Sequence, residues 1–349
     1  MTHMIDSHRL NRRAFLATTV TLAGTYAARG SLAAQGSAAP ASQASRAPRR
    51  RALRVAHLTD IHLQPERDAE AGLAACLARV NGLDPKPDLV LTGGDSVMDV
   101  FEASKARATD LRTLFSTTFP KHCSIPVKHA IGNHDIFGWA RRHLDAGAPA
   151  HGKQYAVDLF GLPRRYYSFD MGGWHFIVLD SVQPATNDGK ESYVAYCDDE
   201  QTEWLTKDLA ARPAGSPTLV LSHIPVLSLT SITYGKHRGR ETIGTDTIID
   251  AASMHTDGHA LHVLFKEHGV RLCLSGHQHL LDHCTTDGVS YICDGAVSGA
   301  WWRGKHQGLD EGFGVVDLYD DGTFDHSYLT YGWSARASLD DRVQRIIAG

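Results

Sequence analysis

Between residues 53 and 131, short apolar runs alternate with segments of helical periodicity. The apolar runs predict strands and the periodic segments predict helices. The predicted strands are Leu53–Leu58, Leu89–Thr92 and Val127–Ile131, and the predicted helices are Ala69–Leu83 and Phe101–Phe119. Because proline is poorly tolerated inside a helix, we expect the second helix to end before Pro120. Alternation of this kind is typical of parallel βαβ units.

From residue 166 onward, hairpin patterns precede and follow a second alternating region. Glycine-containing turns at 171–173 and 320–322 predict hairpins. The first hairpin pairs Tyr166–Asp170 with Trp174–Leu179, and the second pairs Phe313–Tyr319 with Thr323–Leu329. Between the hairpins, the pattern predicts the helices Gln201–Ala211 and Leu261–His268 and the strands Thr218–Leu221, Val270–Leu274 and Val289–Cys293. The whole pattern predicts two packed sheets with helices on their outer faces.

Composition and charge indicate which classes of binding partner this protein would have. The chain has 349 residues, of which 42% are hydrophobic and 21% charged, as in an ordinary globular protein. Its net charge of −4 predicts neither a nucleic-acid surface nor a membrane-surface partner. The 21 histidines are the exception, and a metal enzyme would explain part of that excess.

The six cysteines leave two possibilities open. They are Cys76, Cys123, Cys197, Cys273, Cys284 and Cys293, and no two have CxxC spacing. The spacing therefore predicts neither a zinc ribbon nor a thioredoxin-like motif. One or two disulfides in an exported protein remain possible, as do buried free thiols.

Residues 1–33 resemble a twin-arginine export signal. The pair Arg12-Arg13 precedes a mildly apolar stretch, and small residues around Ala33 provide a cleavage site. The expected partner is the Tat export machinery, and the expected location is periplasmic or secreted. A disordered tail with a chance arginine pair and an ordinary secretion signal are the alternatives. Removal of this segment would leave no stable membrane span in the mature form.

The remaining domain boundaries follow from composition. Residues 34–51 are rich in Ala, Ser and Pro and end in basic residues, which predicts a linker. We place one globular domain at 52–335 and a C-terminal tail at 336–349.

Five polar segments each follow a predicted strand. They are Asp60-Ile61-His62, Gly94-Asp95, Gly132-Asn133-His134-Asp135, Ser222-His223 and Gly276-His277-Gln278-His279. Strand ends are where an α/β fold presents loop side chains to a ligand. A hydrolytic site with two metal ions needs several carboxylate or imidazole ligands, one of which can bridge. Each segment alone is a weak signal, but five in this arrangement predict such a site.

The order D-x-H, G-D, G-N-H-[D/E], H, G-H-x-H resembles the signature of the calcineurin-like metallophosphoesterases. The resemblance extends from about residue 53 to about residue 282. It is strongest with the bacterial class related to cyclic-nucleotide phosphodiesterases and purple acid phosphatases. It implies an α/β fold with four α/β/β/α layers, two mixed sheets flanked by helices, and a metal site at the C-terminal ends of the strands.

The resemblance also implies a role for each site residue. Asp60, His62 and His279 would hold one metal ion; Asn133, His223 and His277 would hold a second; Asp95 would bridge them; His134 would donate a proton or stabilise the transition state; and Asp135 would orient it. The purple phosphatases have a tyrosine where this chain has Met98, so we do not expect a tyrosinate–iron(III) absorption band. The cofactors would be two divalent or mixed-valence first-row ions, Fe, Mn or Zn.

The activity expected from this resemblance is hydrolysis of a small phosphodiester or phosphomonoester. A nucleotide pyrophosphatase or a lipid-headgroup hydrolase would use the same site. A non-catalytic binding protein on this fold should lack ligands, and none is missing here.

Three further groups lie outside the motifs. His237 and Arg238 could bind a charged group of the substrate, or belong to a solvated loop. Trp301, Trp302 and Arg303 could stack on a nucleobase or sugar, although core packing explains the tryptophans equally well. The spacing of His255, His259 and His262 fits one helix face, which we interpret as exposed rather than metal-binding.

Overall fold

The computed structural model describes residues 49–140, 151–187, 189–234, 241–243 and 246–335, and only the backbone of 241–243 and 246–247. The helices are α1 (Ala69–Asn81), α2 (Lys105–His122), α3 (Gln154–Phe160), α4 (Asp199–Ala211), α5 (Leu229–Thr233) and α6 (Gly258–Glu267). The strands are β1 (Arg51–Leu58), β2 (Leu89–Thr92), β3 (Val127–His129), β4 (Tyr167–Met171), β5 (Trp174–Val178), β6 (Val182–Asn187), β7 (Lys190–Ala195), β8 (Thr218–Leu221), β9 (Glu241–Ile243), β10 (Asp246–Ile248), β11 (Val270–Ser275), β12 (Asp282–Thr286), β13 (Val289–Cys293), β14 (Gly312–Tyr319) and β15 (Phe324–Thr330).

The first large sheet has the strand order β15-β14-β1-β2-β3. Strands β1, β2 and β3 run parallel, with α1 and α2 as the crossovers that the sequence predicts. Strand β14 is antiparallel to β1 and β15. Val55 of β1 lies opposite Leu89 of β2 and Val316 of β14, and all three are buried. The sheet is therefore mixed, with one face entering the core.

The second large sheet has the order β12-β13-β11-β8-β5-β4. Its four inner strands are parallel, and both edge strands are antiparallel to their neighbours. The predicted hairpin around Gly172 forms β4 and β5. Strand β12 was not predicted, because its sequence Asp-His-Cys-Thr-Thr has no buried position and lacks an apolar alternation.

Three apolar clusters separate the layers. Between the sheets, Val55 and Leu91 pack in one cluster with Leu219 and Leu272. On the outer face of the first sheet lie residues of β1, α1 and α2, namely Leu58, Leu73, Leu77, Leu111 and Phe115. On the outer face of the second lie residues of β8, α4 and α6, namely Val220, Leu205, Leu209, Leu261 and Phe265. The predicted α/β/β/α order is confirmed.

Helix α2 continues through Pro120, so the prediction that this proline ends the helix is wrong. Proline lacks the N–H that would bond the carbonyl of Ser116, four residues earlier. Ser116 and Pro120 are both exposed, so water can satisfy that carbonyl. Only two helical residues follow, and few contacts depend on the missing bond.

The histidines spaced by four and three do not share one exposed helix face. Helix α6 begins at Gly258, so His255 precedes it. His255 is buried, with Nδ1 2.8 Å from Oδ1 of Asp257 and Nε2 3.2 Å from Oγ of Ser222. The interpretation of this residue as an exposed helical histidine is therefore wrong.

The cysteines are free thiols, which decides between the two possibilities left open. Four of them are buried in apolar clusters or beside the site loops, namely Cys76, Cys197, Cys273 and Cys293. Among the described residues, no helix has the length and apolar character needed to cross a membrane.

Candidate metal centre

The loops that follow five parallel strands converge at one edge of the two large sheets. Strands β1, β2 and β3 supply the first three loops, and β8 and β11 supply the other two. These loops carry the predicted ligands Asp60, His62, Asp95, Asn133, His223, His277 and His279, all of them buried. His134 is half-buried, with 21% of its side chain exposed. The fold thus brings together every residue for which a metal-binding role is predicted.

Five of these ligand residues have left-handed backbone conformations. The φ angles are 54° for Asp60, 47° for His62, 51° for Asp95, 69° for His277 and 54° for His279. Non-glycine residues rarely adopt such angles, each at a cost of about 1–3 kcal/mol. Within Asp60-x-His62 and His277-x-His279, the repeated turn brings both side chains to the same side. Backbone strain of this kind is concentrated at functional sites.

The first ligand group consists of Asp60, His62 and His279. Nε2 of His279 lies 3.1 Å from Oδ1 of Asp60 and 3.1 Å from Nε2 of His62. The other carboxylate oxygen of Asp60 accepts hydrogen bonds from the Thr59 hydroxyl at 2.7 Å and the His277 backbone N–H at 2.8 Å. These two bonds orient Asp60 so that Oδ1 faces the imidazoles.

The second group consists of Asn133, His223 and His277. Nε2 of His223 lies 3.1 Å from the side-chain oxygen of Asn133 and 3.2 Å from Nδ1 of His277. Three potential ligand atoms from three different loops therefore face a common point.

Asp95 lies between the two groups. Its Oδ2 is 3.2 Å from Nε2 of His223 in the second group and 3.7 Å from Nε2 of His62 in the first. Its Oδ1 accepts a hydrogen bond from the backbone N–H of His134 at 2.8 Å. Oδ2 of Asp95 and Oδ1 of Asp60 are buried without a hydrogen bond. Buried carboxylate oxygens in this condition are costly unless a cation satisfies them.

Three of the histidines are held in the tautomer that a metal requires. Nδ1 of His223 lies 2.7 Å from the Gly93 carbonyl, and Nε2 of His277 lies 2.9 Å from the Ala252 carbonyl. Nδ1 of His279 lies 2.5 Å from the Gly299 carbonyl. A carbonyl only accepts, so each of these nitrogens donates its proton and the other keeps a lone pair. The residues present therefore fit a bound cation.

Burial and the neighbouring side chains shift the pKa values of several groups in the site. Burial alone would raise the pKa of Asp60 and Asp95, but the facing histidines, His279 and His223 first among them, lower it well below the usual value. Burial lowers the pKa of His62 to about 3. Burial also acts to lower the pKa of His223, but Asp95, Asp60 and the Gly93 carbonyl together raise it to about 9 in the metal-free site, so a cation that binds Nε2 must displace a proton from it. Both carboxylates are therefore anionic despite complete burial, as metal ligands must be.

His134 and Asp135 have different surroundings. Nε2 of His134 lies 4.0 Å from Oδ2 of Asp95, and its ring meets that of His62 edge-on at 4.8 Å. Both oxygens of Asp135 accept backbone N–H groups, from Ser96, Val97 and Gly132 at 2.9, 3.2 and 3.0 Å. Asp135 therefore braces the loops and does not orient the His134 ring, which corrects the expected role.

The carboxylate that faces the His134 ring is Asp99, with Oδ1 3.6 Å from Nδ1 of His134. Sequence reasoning did not assign Asp99 to the site. The signal was present, since Asp99 ends the stretch Gly93-Gly94-Asp95-Ser96-Val97-Met98-Asp99 that supports the family resemblance.

The two tryptophans predicted to contact substrate differ from each other. Trp302 is buried and its indole N–H donates to the carbonyls of Ile61 and His62, both at 3.0 Å, so its predicted stacking role is wrong. Trp301 is half-buried, and its ring centroid is 4.5 Å from that of His279. Arg303 is exposed. The predicted residues His237 and Arg238 lie outside the described residues.

A sequence model of the family described as calcineurin-like phosphoesterase matches residues 53–281, which include all five motifs. This chain belongs to the calcineurin-like phosphoesterase family. The match confirms the resemblance seen in the motifs. Members of this family are metal-dependent hydrolases of phosphoesters, and the chain is accordingly a phosphoester hydrolase with candidate metal-ligand clusters.

Two relatives and one solved structure illustrate the place of this phosphoesterase in its family. It is 30% identical over 239 residues to a probable cyclic nucleotide phosphodiesterase of Synechococcus sp., covering 65% of this chain and 73% of the relative. It is 26% identical over 283 residues to a 3′,5′-cyclic-nucleotide phosphodiesterase of Nostoc sp., covering 77% and 89%. A dimetal phosphatase from Danio rerio shares the fold, with a TM-score of 0.55 and 14% identity over 81% of this chain and 100% of that one.

Proposed function

We propose that this phosphoesterase uses two metal ions and that its substrate is a small phosphodiester, with 3′,5′-cyclic nucleotides as the first candidates. The observation that carries the proposal is the position of Asp95. One oxygen, Oδ2, faces His62 of the first ligand group and His223 of the second. A carboxylate in this position can bridge two cations. The substrate class follows the two relatives that are named cyclic nucleotide phosphodiesterases.

In this proposal Asp60, His62 and His279 would hold one ion, Asn133, His223 and His277 would hold the other, and Asp95 would serve both. Bound metal ions supply Lewis acidity and make hydroxide available near neutral pH. The chain supplies the rest. Its buried loops exclude bulk water, and the carbonyls of Gly93, Ala252 and Gly299 keep three imidazoles in the ligating tautomer.

His134 acts on the leaving group. It is the half-buried histidine of the site, so its ring can reach a substrate that the buried histidines cannot approach. Protonated at Nε2, it donates a hydrogen bond to a phosphoryl oxygen and then a proton to the departing alkoxide. Asp99 faces the opposite ring nitrogen, with Oδ1 3.6 Å from Nδ1.

The metals we propose are Fe, Mn or Zn. The predicted ligand atoms are imidazole nitrogens, carboxylate oxygens and an amide oxygen, without a thiolate, and this set suits those ions. Met98 stands where a tyrosinate ligand would be needed for a purple iron(III) centre, so we propose a colourless Mn or Zn form, or an iron form without that absorption band.

The test measures metal content and hydrolysis together. Purified protein loaded with Mn is assayed on 3′,5′-cyclic AMP, bis(p-nitrophenyl) phosphate and p-nitrophenyl phosphate, beside the variant Asp95→Ala. We expect about two equivalents of metal, diester hydrolysis by the wild type and loss of both in the variant. The proposal fails if no ester is cleaved and Asp95→Ala retains the metal content of the wild type.

We also propose that the protein is exported by the twin-arginine route, because its Arg12-Arg13 pair precedes an apolar segment and a small-residue cleavage site. Residues 1–48 lie outside the described residues. The test compares wild type with Arg12→Lys/Arg13→Lys in a bacterial host that has this export system. We expect the wild type in the periplasm and the double variant in the cytoplasm; equal distribution of the two would contradict the proposal.

A further inference from the structure

A groove lies directly beside the second ligand group. It measures about 590 Å³, and its walls are the β6–β7 hairpin and residues 250–252. The lining residues are Ala185, Thr186, Asn187, Ser192, Tyr193, Val194, Asp250, Ala251 and Ala252. This volume is in the range of sites that bind small organic molecules.

Two contacts join the groove to the metal centre. The Ala252 carbonyl, in the groove wall, accepts the hydrogen bond from Nε2 of His277 at 2.9 Å. The ring of Tyr193 meets the ring of His277 edge-on, with centroids 6.0 Å apart. The Ala252 contact is on the side of the imidazole that faces away from Nδ1, the ring atom of the second ligand group. Tyr193 is therefore the groove residue that borders both the groove and the second ligand group.

The two walls are held in fixed relation. The backbone N–H of Ala195, at the end of β7, donates to the Ala251 carbonyl at 2.9 Å. The two strands of the hairpin pair antiparallel along their whole length, from Val182 opposite Ala195 to Asn187 opposite Lys190. Phe101, from the loop after β2, packs edge-on against Tyr193 at 5.9 Å. The groove is thus preformed, which lowers the entropic cost of binding.

The chemistry of the lining indicates the kind of group it would bind. It offers two hydroxyls from Thr186 and Ser192, the Asn187 amide, one carboxylate from Asp250 and the Tyr193 ring. None of these described lining residues is basic. Such a surface suits a neutral group that carries hydroxyls, N–H donors and a flat ring.

We infer that this groove binds the nucleoside part of the substrate, with Tyr193 at the junction between nucleoside and phosphate. The inference rests on the proposed function, because it names the substituent that the hydrolysed phosphodiester carries.

The kinetic test compares a substrate that fills the groove with one that does not. 3′,5′-Cyclic AMP and methyl p-nitrophenyl phosphate are assayed on the Mn-loaded protein, on Asn187→Ala and on Ala185→Trp. Asn187 is exposed and Ala185 half-buried, so both variants should fold.

We expect the ratio of kcat/KM for cyclic AMP to that for the small ester to fall about 10-fold in Asn187→Ala, the effect of one lost hydrogen bond. A larger fall is expected in Ala185→Trp, because the indole occupies the groove. Thr206→Ala, an exposed threonine of α4, is the matched control. An unchanged ratio in both groove variants overturns the inference.

A second measurement does not depend on catalysis. Adenosine carries no phosphate and should bind the Mn-loaded wild type in a calorimetric titration, and Ala185→Trp should abolish that binding. If adenosine fails to bind, or binds both proteins equally, the inference is overturned. Failure of the proposed function looks different, since the wild type would then cleave no phosphodiester, whatever the outcome with adenosine.

Discussion

Oδ1 of Asp99 lies 3.6 Å from Nδ1 of His134, on the side of the imidazole that faces away from Asp95. This arrangement predicts graded losses of activity. His134→Ala removes the proposed proton donor, and we expect kcat to fall about 10²–10⁴-fold with metal content unchanged. Asp99→Asn leaves the imidazole in place, and we expect a smaller fall, about 10-fold. Steady-state kinetics on bis(p-nitrophenyl) phosphate distinguish the two; a larger loss in Asp99→Asn than in His134→Ala would contradict these roles.

The position of Asp95 between the two ligand groups predicts different metal contents for two carboxylate variants. Asp60→Ala removes an oxygen from the first group alone, so we expect about one equivalent of metal to remain. Asp95→Ala removes an oxygen that faces both groups, so we expect less than about one equivalent and a loss of kcat of at least about 100-fold. Metal analysis after gel filtration measures this. Equal stoichiometry in the two variants would argue against a bridging carboxylate.

Position 276 has no room for a side chain and therefore requires glycine. A Cβ at this position would lie 1.8 Å from Oγ1 of Thr59 and 2.4 Å from Oδ2 of Asp60. Gly276→Ala must therefore displace the first carboxylate ligand, and we expect at least about 10-fold weaker metal binding. Gly82→Ala is the control, since a Cβ at this position, at the end of α1, would meet only backbone oxygens of its own helix. Metal titration of both proteins tests this, and wild-type affinity in Gly276→Ala would show that the loop yields freely.

His175 predicts a dependence of stability on pH that is separate from the metal centre. Its nitrogens lie 2.9 Å from Asp208 and 2.8 Å from Asp170; the Asp208 bond raises its pKa against the opposing effect of burial, and Asp170 adds to the rise. The folded protein thus binds this proton more tightly than the unfolded chain. The stabilisation is complete below the ordinary histidine pKa of about 6.5 and is lost as the pH rises through the folded value.

His175→Gln should therefore be less stable than wild type by on the order of 1 kcal/mol at a pH of about 5.5, with a smaller deficit at about 8.5. Urea denaturation at the two pH values measures the difference in the free energy of unfolding between wild type and variant. The titration of all other groups is common to both proteins and cancels in this difference. A deficit that grows with pH would mean that the sign of the effect is wrong.

Much of the fold and most of the ligand set could be predicted from local sequence. Buried strands such as Leu89–Thr92 are short runs of apolar residues, and each ligand segment follows such a run. The β6–β7 hairpin was missed because its residues, including Thr186, Asn187 and Ser192, show no apolar alternation. It is stabilised by its ladder and by one hydrogen bond to Ala251, which no local pattern reveals.

Other features of the site depend on contacts between distant segments. The carbonyls of Ala252 and Gly299 select the tautomers of His277 and His279, and a backbone carbonyl leaves no trace in the residue type. Trp301 and Trp302 are neighbours of the same type, and only the packed loop shows that one is buried and the other is not. The role of Asp135 could not be predicted from local sequence either, because it depends on hydrogen bonds from backbone N–H groups that are distant along the chain.

The left-handed conformations of the five ligand residues place stability and function in opposition at the same positions. Glycine would adopt these angles without the cost that Asp60, His62, Asp95, His277 and His279 bear. Each replacement would therefore relax the backbone and remove a ligand in one step. Selection of this protein for thermal resistance alone would favour loss of the proposed metal centre, whereas selection in the presence of metal would preserve it, because an ion held by these residues would bind only the folded chain.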